Sequence, residues 1–414
     1  MSSTDRKVIV AMLGARMHYA VPRILYQLGC LERLYTDTYI GNKPGLERPL
    51  GALPRWVRSA NVSRLDGRSD NAIPGELVTS FDTLGVRYAL ARRRARDDAT
   101  RAATFERFNH RFNRAVVRKG FGTADTVWGF NTASAGIFEA ASARGLTCIL
   151  EQTILPSVLE QRLLREVAEE CRSWQPDFQV GDWHLQDEEQ AEWALADMVV
   201  AGSPFVAEGL EVCGVARDRI RVVPYGVDST MFSPPAEMPR MEGHPLRLLF
   251  VGEVGLRKGV PYLLQALDRL PKGMVEVKLA GSVVLDRDSL ARYEDVAEFL
   301  GPLPRREMPG LFRWADALVL PSIVEGSATV TYEALLSGIP VITTPNSGSI
   351  VEHGVSGQIV PVRDSHAIAD AIQAYADDHD LLDRHRSGAL QARQRADTSR
   401  YAQDLAALFG IPAS

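Results

Sequence analysis

The chain has 414 residues, 45% of them apolar and 24% charged, with a formal net charge of −5. That length exceeds what one core usually serves and predicts two domains, and the net acidity excludes nucleic acid as a bulk electrostatic partner. The four cysteines, Cys30, Cys148, Cys171 and Cys213, never approach C-x-x-C spacing, which excludes a zinc framework and a disulfide scaffold and fits a reducing cytoplasm.

MSSTDRKVIVAML opens the sequence with an apolar run too short for a secretion signal. No stretch of about 20 apolar residues follows, so no membrane span is expected. KVIVAML (7–13) reads as a first strand. After Gly14, GARMHYAVPRILYQLG has its apolar residues at helical spacing. Residues 41–85 are rich in Gly, Pro and Asn and read as long loops with short helices. Residues 87–119 read as helical and basic: eleven Lys and Arg stand against Asp97, Asp98 and Glu106. TADTVWGF (123–130) predicts a strand, NTASAGIFEAASARG a helix, and LTCILEQ (146–152) the next strand. Residues 157–173 and 186–196 read as helices. DMVVAGS (197–203) is a buried strand, and RIRVVPYGVD (219–228) runs a strand into a turn.

STMFSPPAEMPRMEGH (229–244) has linker composition. The alternation then restarts, with strands predicted at 246–252, 275–281, 298–303, 317–322 and 340–345. Helices are predicted at 259–270, 288–296, 306–315 and 328–338, and after about residue 364. Strands alternating with helices predict parallel sheets flanked by helices, so the fold class is α/β with two doubly wound domains facing a cleft. The expected division is 1–228 for an amino-terminal, acceptor-binding domain, 229–244 for the linker and 245–390 for a second domain. A helical segment over 391–414 is free to pack back on the first domain.

Ligands of such sheets bind beyond the carboxyl ends of the strands, often at a helix N-terminus whose unpaired amides suit phosphate. PSIVEGSATVTYEALLSGIPVITTP (321–345) offers such a place. Glu325 falls in the loop, Glu333 about two turns into the helix, and the small residues between them let backbone approach a ligand. Carboxylates form strong charge-assisted bonds with hydroxyls. A second cluster, VGEVGLRKG (251–259), brings Arg257 and Lys258 into a glycine-rich loop, where a cation can neutralise a diphosphate. Phosphate flanked by polyol is the chemistry of a nucleotide sugar.

VGEVGLRKGVPYLLQAL, GPLPRREM, LPSIVEGSATVTYEALLSGIPVITT, EHGVSGQIVP and VVPYGVDSTMFSP together resemble the retaining glycosyltransferases of family four, with the GT-B fold. The match covers most of 199–365. The resemblance implies a sugar-nucleotide co-substrate, no metal and no other cofactor. It also implies that Lys258 contacts the donor diphosphate and that Glu325, with Gly326 and the backbone of Ser327, Ala328 and Thr329, binds the sugar. Glu333 would take the ribose, Gly301, Pro302 and Leu303 would line the base site, and Gly14 would close over the phosphates. Two positions depart from the family. Glu253 stands where an arginine is usual; it would repel a diphosphate unless it faces the acceptor or pairs with Arg257, the substitute cation. Ser327 stands where an aromatic is usual.

His18, Glu151 and Asn131 are candidates on the acceptor side, His18 and Glu151 with a catalytic role. Each also has an ordinary reading as a loop histidine, a capping acid and a turn residue. Asp286-Arg-Asp288 spells D-x-D outside the context a metal site needs and is read as chance. The basic stretch 87–119 is either a solvated face or an approach to anionic lipid, the latter placing the protein at the inner face of the membrane. The leading expectation is transfer of a sugar with retention in bacterial polysaccharide, glycolipid or natural-product synthesis. The alternatives are a GT-B epimerase acting on a nucleotide sugar and a catalytically silent donor-binding subunit. A dinucleotide-dependent dehydrogenase is disfavoured, because MLGARMHYA lacks G-x-G-x-x-G.

Overall fold

The computed structural model describes residues 6–41, 43, 67–95, 98–180, 185–235 and 244–411. Two wholly parallel sheets organise the chain. The first contains β1 (Val8–Met12), β2 (Leu31–Thr36), β3 (Val78–Ser80), β4 (Thr126–Phe130), β5 (Thr147–Gln152), β6 (Met198–Ala201) and β7 (Ile220–Val222), in the order β3-β2-β1-β4-β5-β6-β7. The second contains β8 (Leu246–Val251), β9 (Val275–Ala280), β10 (Ala297–Gly301), β11 (Ala317–Leu320), β12 (Val341–Thr343) and β13 (Gly357–Ile359), in the order β10-β9-β8-β11-β12-β13. VIVAM in β1 and ALVL in β11 are buried throughout, as central strands covered on both faces must be. Strand order reverses between β1 and β4 in one sheet and between β8 and β11 in the other. Such reversals open a crevice at the carboxyl edge of a doubly wound sheet.

Three strands were not legible in the sequence. In β2 the charged pair Glu32 and Arg33 interrupts the apolar run and leaves each face with one half-buried charged residue. The other two, β3 and β13, have three residues each, too few to carry a period. The basic stretch expected as one helical region over 87–119 divides into α2 (Asp82–Arg94) and α3 (Asp98–Lys119); Arg96 and Asp97 lie outside the described residues. Residues 44–66, 236–243 and 412–414, parts of the expected loop region, linker and terminal segment, also lie outside them.

The chain divides less simply than at residue 228. Helix α5 (Ser157–Glu170) and the turn after it come from the first half, yet Leu155, Val167, Cys171 and Trp174 belong to the core of the second sheet. The cause is a row of specific contacts. Trp174 stacks on Tyr293 at 5.9 Å between centroids, Tyr262 donates to Glu170 at 2.8 Å, and Arg363 pairs with Glu166 at 2.8 Å. The terminal boundary also shifts. Helix α13 (His379–Ala396) continues past 390, and the break falls at Asp397, which caps α14 (Thr398–Leu408) by accepting from the Ser399 amide at 2.8 Å. α14 crosses back to the first sheet, where Tyr401, Leu405 and Phe409 join Trp128, Phe130 and Tyr225 in one core. Each sheet is therefore completed by a helix from the other part of the chain.

Candidate active site

The loops after β8 and β11 meet at the reversal point of the second sheet. Lys258 follows β8, and its Nζ lies 2.6 Å from Oε1 of Glu325, in the loop after β11. Arg257 Nη1 reaches the same oxygen at 3.1 Å and donates to the Val324 carbonyl at 3.3 Å. Glycine makes this approach possible. Gly259 has φ +68°, and a Cβ there would stand 2.0 Å from the Pro321 carbonyl oxygen. Burial lowers the Lys258 ammonium pKa, the Glu325 carboxylate opposes that shift, and Arg257 adds to it.

Lys258 and Glu325 floor a cleft of about 390 Å³ lined also by Val251, Gly252, Leu303, Arg305, Met308, Ser327, Ala328, Thr329, Val330 and Glu333. Helix α11 (Thr329–Leu336) points its N-terminus into the cleft, and no side chain caps its amides. Such an end carries unpaired donors and a partial positive charge. Glu333 sits farther along α11, 4% exposed, with Oε1 accepting from Arg305 Nη1 at 2.9 Å. Burial raises its carboxyl pKa, and Arg305 opposes the rise.

Lys258, Leu303, Glu325, Ser327, Ala328, Thr329 and Glu333 are thus brought to one cavity from four segments. Gly326 lies at the seam with the first sheet: a Cβ there would be 1.8 Å from the Thr153 carbonyl oxygen, and its own carbonyl accepts from Ser203 Oγ at 2.5 Å. Gly301 ends β10 with φ +68° and, like Glu253, is not in the lining. Glu253 is exposed and forms no ion pair among the described residues; Arg257 is paired with Glu325 instead.

On the first sheet, Gly14 (φ +84°) donates its amide to Asp37 Oδ1 at 2.9 Å, the oxygen that Arg68 also holds at 2.7 Å. His18 is exposed and outside the cleft lining, and lost hydration together with the charges of Arg305 and Arg23 lowers its pKa. Met17, His18 and Tyr19 are all left-handed, with φ of 49°, 50° and 59°, a conformation that costs about 1–2 kcal/mol per residue outside glycine. Glu151 is fully buried at the end of β5, accepting from Trp128 Nε1 at 3.0 Å, and burial raises its carboxyl to about 7. Asn131 accepts from the Thr153 amide at 3.1 Å and hydroxyl at 2.8 Å. Asp286 caps a short helix (Arg287–Ala291) by accepting from Ser289, and no group of three or more His, Cys, Asp and Glu suited to a metal occurs among the described residues.

Sequence reasoning missed Arg305 and Arg16. Arg16 donates to Thr153 Oγ1 at 2.9 Å and forms no ion pair among the described residues. Both cations follow strands at the carboxyl edge of a sheet, and that position was the available signal.

Residues 245–378 match the family described as glycosyl transferases group 1. The D-inositol 3-phosphate glycosyltransferase of Xylanimonas cellulosilytica is 34% identical over 236 residues, 52% of this chain and 55% of that one. The chain therefore spans about half the length of that relative. Anabaena HepE, solved with UDP and glucose, superposes with a TM-score of 0.63 at 16% identity over 98% of this chain and 99% of that one. Sucrose-phosphate synthase from Thermosynechococcus elongatus gives 0.63 at 17% identity over 98% of each chain. The architecture is the GT-B fold of these structures, and the cleft with Lys258 and Glu325 lies within the residues that match glycosyl transferases group 1.

Proposed function

We propose that the protein is a glycosyltransferase that moves a sugar from a nucleoside diphosphate to an acceptor hydroxyl with retention of anomeric configuration. The observation that carries this reading is the convergence of Lys258, Glu325 and the uncapped α11 N-terminus on one cleft floor. In this reading the diphosphate lies on the helix amides beside Lys258 and Arg257. Glu325 accepts from sugar hydroxyls and Glu333 from the ribose. The bond between the anomeric carbon and the diphosphate breaks, the acceptor oxygen bonds to that carbon on the same face, and its proton passes to the departing phosphate. Charge grows on the leaving group, so Lys258 and the amides supply most of the rate. No metal is needed where fixed cations and amides already serve the diphosphate.

The Anabaena complexes make UDP the first nucleotide to test, and the inositol-phosphate relative makes a phosphorylated polyol the first acceptor. Arg16 is the cation available to an anionic acceptor from the first sheet. The basic face of α2 and α3 is proposed to meet anionic lipid at the inner side of the membrane; no helix among the described residues is long and apolar enough to cross one. An epimerase needs paired acid and base groups around the sugar ring, whereas Lys258 and Glu325 engage each other. The silent-subunit reading loses its motive with Glu253 outside the cleft lining. A calorimetric screen of nucleoside diphosphates, followed by assignment of product anomeric configuration, tests the proposal. No nucleotide binding, or an inverted product, overturns it.

A further inference from the structure

Glu333 and Arg305 form an unequal pair. The Glu333 side chain is 6% exposed and that of Arg305 43%. Arg305 comes from the loop after β10, Glu333 from α11 beyond β11, so the contact ties two strand ends together across the cleft. The guanidinium has a second anchor. It lies 5.5 Å from the ring centroid of Phe232, a buried residue of the segment joining the two sheets, and Phe232 in turn meets Phe312 edge-on at 5.4 Å. Only Oε1 of Glu333 is engaged; Oε2 accepts nothing from the described residues. The other charges facing the pair are Lys258 and Glu325, bonded to one another across the floor, and His18, near enough that Arg305 lowers its pKa.

We infer that Arg305 is the positioning residue for the nucleotide end of the cleft, holding Glu333 charged and aimed so that Oε2 receives a vicinal diol, which makes the site select ribonucleotides over 2′-deoxyribonucleotides. The inference rests on the reading that a nucleotide occupies this cleft. A buried carboxylate without a partner takes up a proton. The protonated group would offer a donor where the diol already brings two, and its bonds to hydroxyls would lose their charge-assisted strength. A carboxylate oxygen has the lone pairs to accept from both hydroxyls of one diol. Arginine suits the task because its guanidinium stays charged and its planar face rests on an aromatic ring.

The test is isothermal titration of the full chain, its R305A and its R305K variants with UDP, GDP and ADP and their 2′-deoxy forms, at pH 6.5 and 9. The unaltered protein should prefer the ribonucleotide by about tenfold or more at both pH values, the range for hydrogen bonds to a charged group. R305A should lose that preference at the lower pH and regain most of it at the higher, where Glu333 ionises without help. R305K should keep part of it at both. An R305A ratio equal to that of the unaltered protein at the lower pH overturns the inference, as does an equal loss at both, which would mean a merely structural contact. Failure of the unaltered protein to bind any of the six nucleotides overturns the donor-site reading itself, and is distinct from either R305A result.

Discussion

Lys258 is a largely covered cation whose charge depends on one carboxylate. Burial lowers its pKa and Glu325 opposes that, so a rise in pH strips its proton earlier than from a surface lysine. E325Q removes the opposing charge; the alkaline limb of the kcat/KM profile for donor turnover should move to lower pH by about one unit. A limb that stays put would exclude Lys258 as the titrating group. K258A should lower kcat by about 10²–10³-fold, the cost of one preorganised partner for developing charge. Glu151 has the opposite lesson. Its folded-state pKa of about 7 lies above the ordinary 4.5. Its contribution to stability is therefore complete below 4.5 and lost as pH rises through 7, a swing of about 3 kcal/mol. E151Q should flatten that decline, so thermal melts at pH 8 should show the variant gaining on the unaltered protein relative to pH 5. Gly326 is constrained by shape alone. G326A would press a Cβ against the Thr153 carbonyl at 1.8 Å, so either the seam opens or the loop carrying Glu325 shifts, and donor affinity should fall in calorimetry.

Helix α5 governs how the elements share their cores. Removing the Trp174 ring by W174A takes away its stack on Tyr293 and should cost about 3–5 kcal/mol, as large aromatic truncations do, read as a lower midpoint in urea. The sequence made the alternation of strands and helices legible because central strands such as VIVAM and ALVL are apolar without interruption. It also made the cleft floor legible, since the glycine-rich loop with Lys258 and the small-residue run after Glu325 each follow an apolar strand and lead into a helix. The role of α5 was not legible: its apolar positions Leu164 and Val167 predict a buried face but not which sheet it meets. The same holds for Arg305. Its value comes from Glu333, 28 residues away, and from Phe232 on the joining segment, and only the fold brings the three together.

At the scale of the molecule, charge is unevenly placed. The net charge is −5, yet Arg87, Arg92, Arg93, Arg94, Arg114 and Arg118 are exposed on α2 and α3 and form no ion pair among the described residues. Val86 and Leu90 stand among them at 56% and 47% exposure, a pattern suited to an anionic lipid surface. R92E/R93E/R94E should lower partition onto vesicles containing phosphatidylglycerol by about tenfold or more at low salt, while leaving nucleotide affinity unchanged; equal partition would retire the membrane contact. The crossing of α5 and α14 has a further reach, into biosynthesis. The apolar patch made by Trp128, Phe130 and Tyr225 emerges from the ribosome well before Tyr401, Leu405 and Phe409 are translated to cover it. The nascent first half must therefore wait, sticky and incomplete, until the whole second sheet has been translated. Chains stalled anywhere between residues 228 and 398 should be the ones that chaperones hold.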